Sequence, residues 1–334
     1  MQSSTQSSPA SASQIGVVLV NLGTPSAPTA RAVRKYLAEF LSDPRVIDYP
    51  RWLWLPILYG IILRIRPARS ARLYSKIWTP HGSPLLINSR ALADAVAATS
   101  DAKFHVELAM RYGEPSIAAA MDRLDAAGIR HVLVVPMYPQ YSATSTAAVF
   151  DAVHAAAARM RRVPELRSIA DYHTSARYID ALAGSVRNFW NAYGRAEKLL
   201  LSFHGIPQRY VRSGDPYADQ CLQTASLLRN ELAMSADELI VTFQSRVGRE
   251  AWLAPYTDVT LSELPTQGVR RIQVLCPGFA VDCLETLEEI AIRGNEQFHA
   301  AGGERLDYIP ALNASANHVQ LMRSLIEQHT SGWT

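Results

Sequence analysis

Short apolar, β-branched runs recur along this chain, separated by Ala-rich stretches, and that alternation restricts the fold more than any other feature. We read strands at Ile15–Asn21, Phe104–Met110, His131–Pro136 and Leu166–Ala170, then at Leu199–Phe203, Leu239–Phe243, Ile272–Cys276 and Leu306–Ile309. Strand, helix and strand in steady alternation is the pattern of parallel sheets covered by helices on both faces. Continuous runs such as Val-Val-Leu-Val and Leu-Leu-Leu-Ser suit strands buried on both sides. Two sets of four predict an α/β protein of two similar Rossmann-like domains, although no clear residue-level repeat links them. We place a disordered tail at 1–13, an N-terminal domain at 14–172 and a C-terminal domain at 173–313. A C-terminal helix over 314–334 is expected to pack back on the N-terminal domain.

Turn residues mark each strand's exit, among them Asn21-Leu-Gly-Thr-Pro25, Tyr138-Pro-Gln-Tyr-Ser142, His204-Gly-Ile-Pro207 and Pro277-Gly-Phe279. In open parallel sheets ligands bind outside the carboxyl ends of the strands, so these exits are where a site is expected. The fold says where to look and not what happens there. The first exit has a single glycine where a dinucleotide site has GxGxxG, and the chain has no GxxxxGK[ST] loop. Nicotinamide and nucleoside-triphosphate chemistry therefore lose their usual sequence support.

With 334 residues, 48% hydrophobic and 19% charged, the composition is that of a globular protein. The net charge of +3 is too small, and the basic residues too scattered, for a nucleic-acid binder, yet it suits an anionic small molecule. Cys221, Cys276 and Cys283 form no CxxC pair, which argues against a disulfide framework and a cysteine-built metal site. The polar, Ser-rich start lacks the pattern of a secretory signal, and a reducing cytoplasm is the expected location. The apolar segment from Trp52 to Leu63 is shorter than the roughly 20 residues a membrane span needs. Pro56 and Gly60 also interrupt it, so we read residues 52–65 as a buried element or an apolar lip.

Two constellations carry chemistry. His204 follows four apolar strand residues and precedes Gly205, which permits close approach of another group. An imidazole there can accept a proton near neutral pH or bind a transition metal. An isolated histidine at such a place is more often a hydrogen-bonded strand cap. The second constellation is Asp282-Cys-Leu-Glu285-Thr-Leu-Glu288-Glu289. Asp282 suits a helix N-cap, and acidic residues in a first turn are favoured by the helix dipole. Glu285 and Glu289, four apart, share one helical face and can pass protons or hold a divalent cation. Glu288, about 100° away on a helical wheel, is expected in solvent.

The runs Leu201-Ser-Phe-His-Gly-Ile-Pro207 and Pro277-Gly-Phe-Ala-Val-Asp-Cys-Leu-Glu-Thr-Leu-Glu-Glu289 resemble the two active-site motifs of ferrochelatases. The resemblance extends in order through Val20–Pro25, Gly82-Ser-Pro84, Met110-Arg-Tyr112, Tyr138–Ser142 and Gln244–Gly248 with Trp252, covering nearly the whole chain. It implies insertion of Fe²⁺ into protoporphyrin IX, with His204 and Glu285 handling the metal and the pyrrole protons and Glu289 assisting. It implies porphyrin contacts from Arg111, Tyr112, Tyr141 and Trp252, for which core packing or structural ion pairing is the equal alternative. Many family members carry histidine at the position of Cys283; some bacterial ones resemble this chain in having cysteine, which favours protoporphyrin over coproporphyrin III. The chain lacks the cysteine-bearing extension that holds a [2Fe–2S] cluster in some relatives, so no cofactor is expected. The lip would border the pocket and make a weak peripheral membrane contact, and the protein is expected to act as a monomer. The rival readings are a cobalt or nickel chelatase, a haem or metal carrier without turnover, and a nicotinamide-dependent enzyme.

Overall fold

A computed structural model describes residues 14–248 and 250–333; the tail assigned to 1–13 lies outside the described residues. Eight strands form two parallel four-stranded sheets. In the first, β1 (Ile15–Gly23), β2 (Phe104–Tyr112), β3 (His131–Pro136) and β4 (Glu165–Ser168) are ordered β2-β1-β3-β4. In the second, β5 (Lys198–His204), β6 (Leu239–Gln244), β7 (Arg271–Leu275) and β8 (Arg305–Ile309) are ordered β6-β5-β7-β8. The chain thus has a two-domain Rossmann-like fold with all eight anticipated strands present. β1 runs on to Gly23 because that residue still pairs with Tyr112. A Cβ at Gly23 would lie 1.8 Å from the Tyr112 carbonyl oxygen, and its φ of 111° is one that glycine adopts freely.

Val17 to Val20 are wholly buried in the middle of the first sheet, and Leu200 and Leu201 likewise in the second, which accounts for their uninterrupted apolar runs. The largest apolar cluster passes through both halves, joining Leu19 and Leu133 to Leu201, Phe203 and Leu321. The final helix, Ala316–Thr330, packs on the helices Pro84–Thr99 and Ala176–Tyr193. Arg167, within β4, fastens its end by donating to the carbonyls of His329 (3.0 Å) and Ser331 (2.8 Å) and stacking on Trp333.

The lip is a helical run from Arg51 to Ile77 interrupted by a π-turn at Leu58–Ile62. Pro56 lacks an N–H and Gly60 lacks a side chain, so a disturbed ladder is expected there. The segment is amphipathic, which reconciles both sequence readings. Leu58 is fully buried and the Trp54 indole donates to the Leu41 carbonyl (2.7 Å), whereas Trp52 is 78% and Ile65 70% exposed. Among the described residues no helix is long and apolar enough to cross a membrane.

Candidate active site

In both sheets the strand order reverses direction beside the first strand, at β1/β3 and at β5/β7. Such switch points open a crevice beyond the strand ends. β5 delivers His204 to the second crevice, and the chain leaving β7 delivers Glu285 and Glu289. The His204 ring is half-buried, and its Nδ1 lies 2.7 Å from the Gly205 carbonyl oxygen. A carbonyl only accepts, so Nδ1 carries the proton and Nε2 keeps its lone pair. Gly205 serves the close approach foreseen for it: a Cβ there would meet the Gln244 carbonyl oxygen at 3.0 Å and the Trp252 ring at 3.3 Å.

Glu285–Gly294 is a π-helix, a rare winding often found at functional sites. Gln244, at the end of β6, holds its start: the amide Nε2 donates to the Glu285 carbonyl (2.9 Å) while Oε1 accepts from Ser202 (2.7 Å). Glu289 accepts from the backbone N–H (2.9 Å) and hydroxyl (2.5 Å) of Ser245, a residue whose φ of 69° turns both groups toward the carboxylate. Burial raises the Glu289 pKa above the ordinary carboxylate range; Ser245, Arg293 and His204 oppose that rise, and Glu285 adds to it. His204 and Glu285 therefore both lie close enough to Glu289 to act on it electrostatically.

Two sequence expectations about this helix are corrected. Glu288 is not in solvent: its carboxylate is 1% exposed, 3.0 Å from Lys76 Nζ and 3.3 Å from Arg293. The helix Leu63–Ile77 covers that side, and i to i+5 winding changes the angle per residue from the α-helical value used to place it. Asp282 caps no helix. Its carboxylate accepts from Tyr308 Oη (2.6 Å), Asn313 Nδ2 (2.7 Å), Thr286 Oγ1 and the Ala311 N–H, bracing the helix entrance against the exit of β8.

Sequence reasoning missed the N-terminal residues that face Glu285. Tyr74 and Tyr36 are buried, which raises both phenol pKa values, with Glu285 adding to each. Arg66 has its pKa lowered by burial and pushed back up by Glu285. Cys283 is a buried thiol held neutral by desolvation and by the neighbouring Glu285 carboxylate. The crevice is thus closed by the lip helix of the other half, a pairing that no spacing along the chain discloses. Ser245 stood inside a matched run, and its partnership with Glu289 needed the fold.

The four aromatic and basic candidates divide. Trp252 lies over Gly205 with its indole donating to the Val247 carbonyl (3.0 Å), beside the His204 strand. Tyr141 is half-buried, and its backbone N–H donates to Gln220 Oε1 (2.6 Å). Arg111 is paired with Asp43, donates to the Ala148 carbonyl and stacks on Tyr112; the Tyr112 hydroxyl also donates to Asp43 (2.9 Å). With Tyr112 only 1% exposed, these two form a structural unit at the end of β2. Among the described residues, no three His, Cys, Asp or Glu side chains form a group that could hold a metal ion.

Residues 14–330 match the family model for ferrochelatase. The chain belongs to the ferrochelatase family. It is 49% identical over 327 residues to a ferrochelatase of Idiomarina loihiensis, covering 97% of this chain and 90% of that one. It is 51% identical over 325 residues to the ferrochelatase of Methylibium petroleiphilum, covering 96% and 90%. With ferrochelatase 1 of Shewanella oneidensis it shares 50% over 322 residues, covering 95% and 96%. Among solved structures, SirB of Bacillus subtilis with Fe³⁺ superposes with a TM-score of 0.55 at 12% identity, over 96% of this chain and 97% of that one. The sirohydrochlorin chelatase SirB from the spizizenii subspecies, in complex with cobalt, gives 0.56 at 14%, over 96% and 97%. At that identity these two establish the fold alone. The protein is a metal chelatase of haem biosynthesis, inserting metal into a porphyrin.

Proposed function

We propose that the chain inserts Fe²⁺ into protoporphyrin IX, forming protohaem and releasing two protons. The observation that carries this reading is the His204 imidazole with Nε2 unprotonated, in one crevice with two carboxylates of which Glu289 has a raised pKa. Metallation exchanges two pyrrole N–H protons for one cation that must shed its waters. His204 Nε2 takes a pyrrole proton, and Glu285 and Glu289 provide oxygen ligands for the incoming ion and a route for the protons leaving the macrocycle. Imidazole and carboxylate suit Fe²⁺ without the retention of a thiolate cage. Trp252 and Tyr141 offer aromatic surface to the macrocycle. No resident cofactor is needed, and the protein works as a monomer in the cytoplasm.

The test is anaerobic mixing of enzyme with excess protoporphyrin IX and Fe²⁺ or Zn²⁺, following the porphyrin absorption bands over many turnovers. Stoichiometric change that stops at one equivalent would make the protein a carrier; preference for coproporphyrin III in competition would change the substrate. The lip supports a further part of this reading. Tyr59 lines a cleft of about 340 Å³ together with Arg31, Arg34, Lys35 and Arg64, and Trp52, Ile61 and Ile65 are exposed on the same helical run. Apolar side chains rimmed by cations suit peripheral contact with an anionic membrane surface. Vesicles containing anionic lipid should retain the protein and release Trp52→Ser/Ile65→Ser; equal retention of both would end that part.

A further inference from the structure

Arg209 stands outside the crevice, in the short helix Gln208–Arg212 that follows His204, and gathers three separate segments of chain. Its Nη1 donates to both the carbonyl and the carboxylate of Asp48, each at 3.2 Å. Its guanidinium lies 4.8 Å from the centre of the Tyr49 ring and 4.4 Å from that of Tyr210. Its Nε is 2.7 Å from Glu250 Oε1, an ion pair out of line for a hydrogen bond. Tyr210 reinforces the same junction, donating its hydroxyl to the Val46 carbonyl (3.0 Å) and accepting from the Asp48 N–H (3.3 Å).

The joined segments have different duties. Asp48 and Tyr49 form the root of the lip, two residues before its first helix, and Tyr49 packs toward Trp54, the indole that anchors the lip. The lip's inner side lies with Tyr36, Tyr74 and Leu284, next to Glu285. Glu250 belongs to the loop that begins at Ser245, which holds Glu289, and ends at Trp252. That loop is also laced to the His204 exit by the N–H of Gln208 on the Ala251 carbonyl (2.9 Å) and that of Leu253 on the Ile206 carbonyl (3.0 Å).

We infer that Arg209 is a positioning residue that fixes the lip root against the Glu289 loop, so that the porphyrin-covering and proton-handling sides of the crevice are held in register. The inference rests on the proposed porphyrin site. Each exposed ion pair is weak by itself, but a planar fork stacked between two rings makes its contacts together. Freed of this tie, the lip root populates positions that do not cover the site, and apparent affinity falls by the fraction of molecules with the lip in place.

The two arms of Arg209 separate in kinetics. Asp48→Ala weakens only the lip side, removing the carboxylate while keeping the backbone carbonyl, and should raise the porphyrin Kd, read from porphyrin fluorescence, and the porphyrin KM, leaving kcat and the iron KM near normal. Glu250→Gln cuts only the loop side and should raise the iron KM or shift the pH profile, with a smaller rise in porphyrin Kd than Asp48→Ala because Trp252 ends the same loop. Arg209→Ala should show both defects, with porphyrin KM raised about five- to thirtyfold, and should make Asp48→Ala silent in its background. Arg209→Lys, which keeps charge but loses the fork, should fall between and serves if the alanine variant does not fold. A porphyrin Kd within twofold of wild type in Arg209→Ala or Arg209→Lys overturns the inference, as does equal loss of both substrates' affinities in Asp48→Ala and Glu250→Gln. Wild-type protein that fails to bind porphyrin instead overturns the proposed function.

Discussion

In the N-terminal half the strand beside the switch point, β1, carries Asn21 near its end, turned inward so that its amide donates to Ser89 (3.0 Å). In the C-terminal half the corresponding strand, β5, ends in His204, whose ring is half-buried with one nitrogen free. A π-turn follows the third strand in both halves. In the first it is Ala143–Ala147, small and uncharged, with Ser142 at its start bonded across to Asp215 (2.9 Å). In the second it is Glu285–Gly294, with three carboxylates. One topology, used twice, ends in small uncharged residues in one half and in an imidazole and carboxylates in the other. The crevice is a property of the strand order; the chemistry comes from a few side chains placed at its mouth. The first half contributes its lip, Tyr36, Tyr74 and Arg66 rather than a second centre.

The sharpest way to break that comparison is to truncate the two equivalent strand ends. His204→Ala removes the proposed base and should lower kcat by about 10²- to 10⁴-fold with little change in melting temperature. Asn21→Ala leaves the buried Ser89 hydroxyl without its partner and should cost about 1–3 kcal/mol of stability with turnover within about twofold. Paired kinetics and thermal melts decide it. Near-normal turnover in His204→Ala would remove that residue from the mechanism and leave the halves chemically alike.

A smaller effect separates the carboxylates of the second π-helix. Glu285→Gln should lose most activity, because Glu285 faces Arg66 and Tyr74 across the crevice and lies beside Cys283. Glu289→Gln should lose about tenfold, a deficit that deepens when iron is scarce if the group helps to deliver the ion. Glu288→Gln, with its carboxylate among Lys76 and Arg293, should change melting temperature and leave both substrate dependences intact. Equal losses from Glu285→Gln and Glu289→Gln, independent of iron, would mean a shared structural role.

How far the sequence disclosed this arrangement depends on the range of the interaction. The strands were legible because burial on both faces forces uninterrupted apolar runs such as Val17–Val20. His204 and Glu285 stood out because they sit in matched runs at or beyond strand ends, His204 closing β5 and Glu285 lying ten residues past β7. Glu288 was misplaced because an α-helical wheel was applied to a π-helix, a winding set by tertiary contacts such as Gln244 on the Glu285 carbonyl. Asp282 was misread for a related reason: its residue type suits a cap, but Tyr308 and Asn313 reach it first. The segment from Trp52 to Leu63 invited two readings because Leu58 is buried and Trp52 exposed on one helical run. Arg209 escaped notice because its partners, Asp48 and Glu250, are far from it in sequence.

The smallest effect is a pH dependence that distinguishes Glu289 from an ordinary ion-paired carboxylate. Burial raises its pKa in the folded protein above the value of about 4.3 that it has in an unfolded chain. The folded state therefore binds that proton more tightly than the unfolded one does. Its contribution to stability is complete below the unfolded pKa and is lost as pH rises through the folded pKa. A carboxylate whose pKa is depressed behaves the opposite way, gaining stability over its own window as pH rises. Glu289→Gln cannot ionise, so its melting temperature should be flatter than wild type from the ordinary carboxylate range up to the raised pKa. The acid limb of kcat/KM that reports Glu289 should vanish in the same variant. Thermal melts and initial rates in matched buffers from pH 4 to about 7 supply both readings. Parallel melting curves for the two proteins would show that Ser245, Arg293 and His204 cancel the cost of burial, leaving Glu289 an ordinary carboxylate at the mouth of the crevice.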